Sequence, residues 1–223
     1  MIEVKNLVKA FRDGPNETRV LKGIDFTAAS GEFVAIMGRS GAGKSTLLYQ
    51  ISLLDEPTSG EIRINGKDTR LMSEREKMLF RLAEFGYVFQ DYALLPELTA
   101  LENVALPLYM QGASRSAADA KAATALERVG LGKRLDNLPS QLSGGEQQRV
   151  SISRAIAHTP DVLFADEPTA NLDKESSATV MSIFKELHKG GQTIIMVTHE
   201  EEFSRFAERI VKLDDGKIVS DSR

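Results

Sequence analysis

Cysteine is absent from the 223 residues, which excludes disulfides, thiolate nucleophiles and cysteine metal sites. Histidine is scarce, at three, and no metal-ligand cluster supports a zinc site. No apolar run approaches the roughly 18 residues that a membrane span requires. The opening Met1-Ile2-Glu3-Val4-Lys5 lacks the charged start and apolar core of a signal peptide. Nor is there a basic surplus: 28 Lys and Arg stand against 32 Asp and Glu, a formal charge of −4, which argues against nucleic acid as the main partner. A protein made and kept in the cytoplasm is expected, with any membrane role coming through a partner. Repeats, low-complexity tracts and linkers are also missing. One domain, 1–223, is expected, long enough for a core without staples, with no room at its end for an appended regulatory domain.

What is present begins with Gly38-Arg39-Ser40-Gly41-Ala42-Gly43-Lys44-Ser45-Thr46. A glycine, four residues and then Gly-Lys-Ser describes a loop whose backbone N–H groups turn inward around phosphate oxygens. The glycines are needed because a side chain would block the turn or the approach of the anion. Lys44 reaches the β- and γ-phosphates, and the Ser45 hydroxyl ligates Mg²⁺. Phe33 to Met37 is short and apolar enough for a buried parallel strand. Lys44 to Leu54 reads as a helix whose N-terminus adds its dipole to the nest. A nucleotide phosphate site follows.

Residues 2–11 and 19–28 alternate as an antiparallel pair, with Arg12 to Asn16 as the turn. Phe11, at the end of the first strand, is either packed on the sheet or a stacking platform for a base. Glu61 to Ile64 is a short strand closed by Asn65-Gly66, a hairpin signal. Ser73 to Glu84 has Met78, Leu79 and Leu82 at helical spacing, and Gly86 to Phe89 is another strand. The texture is helical from about 91 to 159, over Glu97–Met110, Ser116–Leu131 and Gly144–His158. Val162 to Ala165 and Thr193 to Val197 are again parallel-type strands, and a last hairpin turns at Asp215-Gly216.

Four apolar strands therefore end in polar residues: the phosphate loop, Gln90, Asp166-Glu167 and His199. Ligands of open parallel sheets bind outside the carboxyl ends of the strands, so these groups are expected to converge on one edge. Asp166 is expected to hold Mg²⁺ through a water, and Glu167 to activate or orient the attacking water. Gln90 either coordinates Mg²⁺, positions water or merely caps its strand. His199 either hydrogen-bonds the γ-phosphate or is structural.

Leu142-Ser143-Gly144-Gly145-Glu146-Gln147-Gln148-Arg149 resembles the signature of the ATP-binding-cassette ATPases. Ser143 and the two glycines cap a helix N-terminus, a second anion site on the same chain. The resemblance runs through essentially the whole chain. It implies an α/β P-loop NTPase fold with a mostly parallel central sheet, an antiparallel β subdomain and an α-helical subdomain. It also implies an ATP-dependent homodimer in which Ser143, Gly144, Gly145 and Glu146 of one copy meet the ATP held by the other. Phe11 looks like the adenine-stacking aromatic, Gln90 like the glutamine of the loop that senses a transmembrane partner, and Asp166 and Glu167 like the Mg²⁺ aspartate and catalytic glutamate. Ala170 to Asp173 looks like the loop crossing the dimer interface, and His199 like the switch histidine.

Leu54 to Gly60, Gly86 to Gln90 and Leu98 to Val104 are similar to one branch, the ATPases of lipoprotein-release and macrolide-efflux transporters, with a cell-division ATPase as cousin. That implies an ATPase at the cytoplasmic face of the cell membrane, driving integral-membrane permease subunits. A signalling role without transport remains an alternative. The soluble cassettes of DNA repair or translation carry a long coiled coil or a second cassette, and this chain has neither. Tyr92, Leu94, Leu95, Leu98 and Leu101 either join the core or line a groove for a permease helix. Three departures stand out: Ser52 where a glycine usually ends the phosphate-loop helix, Ala170 for a common glycine, and Arg39 inside the loop, where only its backbone is expected to be needed.

Overall fold

The structure, a computed structural model, describes residues 2–223. The strands and helices in chain order are β1 (Ile2–Asp13), β2 (Asn16–Ala28), β3 (Phe33–Met37), α1 (Lys44–Ile51), β4 (Ser59–Ile64), β5 (Lys67–Asp68), α2 (Glu74–Glu84), β6 (Phe85–Val88), α3 (Ala100–Met110), α4 (Arg115–Arg128), α5 (Gly144–Ile156), β7 (Val162–Asp166), α6 (Lys174–Lys189), β8 (Thr193–Val197), α7 (Glu201–Ser204), β9 (Arg209–Asp214) and β10 (Lys217–Ser222). The chain divides into two compact units. One runs up to Arg81 and resumes over Gly191–Arg223; the other is Leu82–Gly190. Among the described residues no helix is long and apolar enough to cross a membrane.

In the first unit, β3 and β8 are buried at every position. Such strands are covered on both faces and pair in parallel, and β3 is flanked by β8 and β9, both parallel to it. β10 closes the edge antiparallel to β9. A separate antiparallel sheet runs in the order β2-β1-β4-β5. Its last turn is Asn65-Gly66, at φ 50 and 78, the doubly left-handed form that matches strand twist in a two-residue hairpin.

Helix α1 ends at Ile51, short of the expected Leu54. Ser52 caps it at φ −89, donating to the Leu48 carbonyl, and Leu53 takes the left-handed position at φ 60. The stop is thus made by Leu53, and Ser52 needs no glycine conformation. On α2, Met78 and Leu79 are exposed and Phe80 is the buried side chain, so the apolar spacing marks an outward face there.

In the second unit β6 and β7 pair in parallel, with Val88 opposite Ala165. Helices α3, α4 and α5 share a core of Val104, Leu108, Ala122, Leu126 and Val150, against which Leu94 and Leu101 also pack. Leu95 stays exposed, so the apolar residues after Gln90 split between core and surface. Helix α3 starts later than Glu97 because Thr99 and Glu102 form a reciprocal capping box.

His158, just beyond α5, donates through Nε2 to the Phe85 carbonyl at 3.0 Å, which leaves Nδ1 buried and without a partner. Burial pushes its pKa below the ordinary value, because a charged ring there would carry a proton facing no acceptor. The unfolded chain then binds more protons than the native one once pH falls below about 6.5, so stability drops as pH is lowered through that window. Urea melts between about pH 5 and 7 should lose this slope in His158→Gln, whose amide can still donate to Phe85. An unchanged slope assigns the proton to another group.

Candidate active site

In the first unit β3 delivers the chain into the phosphate loop. A Cβ at Gly38 would lie 2.2 Å from the Leu213 carbonyl oxygen, so only glycine lets the loop leave the strand here. Gly43 is left-handed, at φ 98, and packs on Val20 and Leu21. The amide of Ala42 donates back to the Arg39 carbonyl at 3.2 Å, and the Nζ of Lys44 donates to the same carbonyl at 3.2 Å. Lys44 opens α1 and is only 6% exposed, so its ammonium is held inside the loop. Arg39 contributes that carbonyl while its side chain is exposed, as expected. The β9–β10 turn braces the loop from outside: the Gly216 amide donates to the Ala42 carbonyl at 3.1 Å, and its carbonyl accepts from Lys22 at 2.9 Å. His199 follows β8, the neighbour of β3, and is exposed there. Phe11 is 49% exposed with the Lys9 ammonium 5.0 Å from its ring centroid. Lys9 is itself tied to Asp55 at 2.8 Å. The residue is therefore half-exposed and not part of the core.

In the second unit Asp166 ends β7, buried to 4% exposure, and Glu167 follows at φ 44. Left-handed backbone at a glutamate costs on the order of 1–3 kcal/mol and persists where the surroundings hold it. The Glu167 carbonyl accepts from the Ala170 amide at 3.1 Å, and the Pro168 carbonyl accepts from Gln148 Nε2 at 2.7 Å. Ala170 is not left-handed, so a glycine is not required there. Gln90 follows β6 with an exposed side chain. Its carbonyl accepts from Asn171 Nδ2 at 3.2 Å, which brings the loops after β6 and β7 together as expected.

Ser143 caps α5, its hydroxyl accepting from the Glu146 amide while Glu146 accepts from the Ser143 amide. That amide, and then the Arg134 guanidinium 3.1 Å away, hold the Glu146 carboxyl below its usual range. Its carboxylate is thus occupied in closing its own helix. The two glycines also have a reason that the sequence does not carry. A Cβ at Gly144 would lie 2.9 Å from the Tyr92 hydroxyl, and one at Gly145 would lie 2.6 Å from Ser176 Oγ. Sequence alone assigns Gln148 and Arg154 no role and places Tyr92 only between core and groove; a glutamine with no exposure at all reads as an ordinary polar helix residue until the fold places it.

Each unit carries an oxygen of the kind that magnesium on a nucleotide takes. Mg²⁺ keeps most of its waters and takes one or two protein oxygens plus phosphates. Ser45 offers a hydroxyl in the first turn of α1, and Asp166 a carboxylate at the end of β7. Among the described residues no group of three or more His, Asp or Glu could hold a metal by itself.

Residues 21–170 match a model of the family described as ABC transporter. An uncharacterized ABC transporter ATP-binding protein of Methanocaldococcus jannaschii is 52% identical over 219 residues, covering 98% of each chain. The lipoprotein-releasing system ATP-binding protein LolD of Aquifex aeolicus is 45% identical, covering 99% of this chain and 97% of the relative. The macrolide export ATP-binding/permease protein MacB 1 of Aeromonas hydrophila is 46% identical along the whole chain, which spans 34% of that longer protein. Among solved structures, a dimeric bacterial ABC transporter cassette superposes with a TM-score of 0.94 at 39% identity, covering 100% of this chain and 98% of that one. A dimeric post-hydrolysis cassette bound to ADP and Pi superposes with a TM-score of 0.93, at the same identity and coverage.

Gly38→Ala tests the loop directly. Forcing a methyl against the Leu213 carbonyl costs about 1–3 kcal/mol of stability as overpacking. The loop should be displaced, with at least a tenfold loss of nucleotide affinity by calorimetry in a protein that still melts cooperatively. Parent-like affinity means that the loop tolerates the methyl and is not held by this contact.

Proposed function

The chain belongs to the ABC transporter family, and from that membership we propose that two copies close head to tail around ATP and power a membrane permease of the lipoprotein-release or macrolide-export type. Its fold is the α/β P-loop NTPase cassette, its activity is ATP hydrolysis, and its ligands are ATP and Mg²⁺. The observation that carries the proposal is the second glycine-opened helix start at Ser143, besides the phosphate loop. Two anion-facing helix starts on one chain are both used when the phosphate loop of one copy and Ser143-Gly144-Gly145 of the other enclose one ATP. The whole chain, 1–223, would act as one cassette with its helical part at about 91–159.

The roles follow from the chemistry of each residue. Phe11 stacks on the base. Gly38 to Thr46 wrap the phosphates, with Lys44 neutralising charge on the γ-phosphate. Ser45, Gln90 and Asp166 would hold Mg²⁺, which would screen the charge that develops on the phosphates. Glu167 takes the proton of the attacking water, and His199 hydrogen-bonds the γ-phosphate. Glu146 contributes by fixing the start of the signature helix through its cap. The cassette would work at the cytoplasmic face of the membrane, held there by the permease, and the exposed Leu95 in the loop after Gln90 is a fitting contact.

Glu167→Gln keeps the shape and removes the base. Turnover should fall about 10²- to 10⁴-fold, while ATP binding survives, so that ATP accumulates between two copies. Size exclusion with light scattering should show a dimer in ATP and a monomer in ADP. A variant that stays monomeric in ATP, or hydrolyses at the parent rate, would sink the assignment of base or interface. Phe11→Ala should weaken ATP binding by about 1–3 kcal/mol, the scale of one base stack; an unchanged calorimetric affinity places the base elsewhere.

A further inference from the structure

The loop after Gln90 takes a backbone form that the chain does not prefer. Tyr92 and Ala93 are both left-handed, at φ 59 and 50. The amide of Ala93 donates to the Asp91 carbonyl at 2.5 Å, which makes a γ-turn centred on Tyr92, a rare and strained turn when its central φ is positive. Two successive non-glycine residues in this region persist only where something holds them.

Arg154, near the end of α5, is that holder. Its guanidinium donates to the Tyr92 carbonyl at 2.9 Å and to the Ala93 carbonyl at 2.5 Å. Among the described residues Arg154 makes no ion pair, and burial lowers its pKa; the two carbonyls are its hydrogen-bond partners. A planar fork suits two adjacent oxygens in a way that an ammonium does not. The same turn sends the Tyr92 side chain to the other end of the helix. Its hydroxyl lies 2.9 Å from where a Cβ of Gly144 would be, and 3.5 Å from the Asn171 carbonyl. One short turn therefore touches α5 at both ends, at Arg154 and at Gly144.

We propose that Arg154 is a positioning residue that couples the loop after Gln90 to the signature helix, by holding Tyr92 and Ala93 left-handed so that Tyr92 stays seated against Gly144. The functional part of this rests on the reading of Ser143-Gly144-Gly145 as the site for the other copy's ATP. Displacement of the 91–93 turn, by a docked partner or by loss of the arginine, then disturbs the start of α5 without touching the phosphate loop. Water can satisfy the freed carbonyls, because Ala93 is exposed. What Arg154 alone supplies is the conformation.

That distinction sets the experiment. Hydrogen exchange is read on the nucleotide-free chain, alongside ATP affinity and turnover, in Arg154→Met, Ala93→Gly and the double variant. Glycine adopts positive φ without strain, so Ala93→Gly removes part of what the arginine has to hold. Arg154→Met should speed exchange at 92–93 and also at 144–146, keep ATP affinity within about twofold, and lower kcat roughly 10- to 100-fold, the scale of a distant misplacement. Ala93→Gly should restore most of the loss in the double variant. If Arg154→Met does not fold, Arg154→Lys, which keeps the charge and loses the fork, carries the same readouts. Exchange that rises only at 92–93, or evenly over Leu82–Gly190, overturns the coupling, as does a loss that Ala93→Gly leaves untouched or an unchanged kcat in an active parent. A parent that does not hydrolyse ATP defeats the functional reading instead, while exchange still decides the coupling.

Discussion

A backbone carbonyl taken out of water and left unpaired costs about as much as a lost hydrogen bond, and that constraint bears on the loops carrying chemistry wherever they turn inward. The loops turn too tightly for their carbonyls to find strand or helix partners, so side chains reach in. Lys44 satisfies Arg39 within the phosphate loop. Gln148 bonds the Pro168 carbonyl and, more weakly at 3.5 Å, that of Phe89. Arg154 takes Tyr92 and Ala93, Asn171 takes Gln90, and Asn103 takes Leu95 and Leu98. Polar side chains here act as substitutes for secondary structure.

This arrangement has a consequence for catalysis. Groups that act on a developing charge are most effective when already in place, because no reorganisation is then required during the reaction. Glu167 sits in a left-handed conformation that a free chain would leave. Gln148 and the Ala170 amide hold the residues around it without touching its carboxylate. Gln148 is itself the second turn of the helix that Ser143 caps, so one rigid element supports both the loop after β7 and an anion-facing start. The strain is spread across the loops, and α5 carries restraints on both the loop after β6 and the loop after β7.

The parts of this legible in the sequence were those made by local chemistry. The glycine pattern at Gly38 to Ser45 marked the phosphate loop, the fully apolar runs marked β3, β7 and β8, and Asn65-Gly66 marked its hairpin, because each depends on residues a few positions apart. Boundaries were less legible: α1 stops early through a left-handed leucine, and α3 starts late through a cap. The face of α2 misled, since periodicity reports an apolar stripe and not what covers it. Arg154 stayed hidden because its partners lie 61 and 62 residues away on the loop after β6, and Gln148 because its main partner, the Pro168 carbonyl, lies 20 residues away on the loop after β7. The glycines of the signature were recognised for the right position and an incomplete reason. Approach to an anion explains their small size, but before any ligand arrives a Cβ at Gly145 would already meet Ser176 Cβ at 2.8 Å, and one at Gly144 would have to move the Tyr92 hydroxyl.

The departures from the family pattern fall into place on the same ground. Arg39 could replace a smaller residue because only its carbonyl is used by Lys44 and Ala42. Ser52 could replace glycine because its φ is −89 and the left-handed burden passes to Leu53. Ala170 could replace glycine because it donates from its amide in an ordinary conformation. In each case the position is required through its backbone, and the side chain is free as long as it permits that backbone. Where both the backbone and the space beside it are constrained, as at Gly38 with a carbonyl 2.2 Å from any added carbon, no such freedom exists. Substitution along this chain is therefore governed less by nearness to the chemistry than by whether a Cβ fits the turn that brings a main-chain group to its partner.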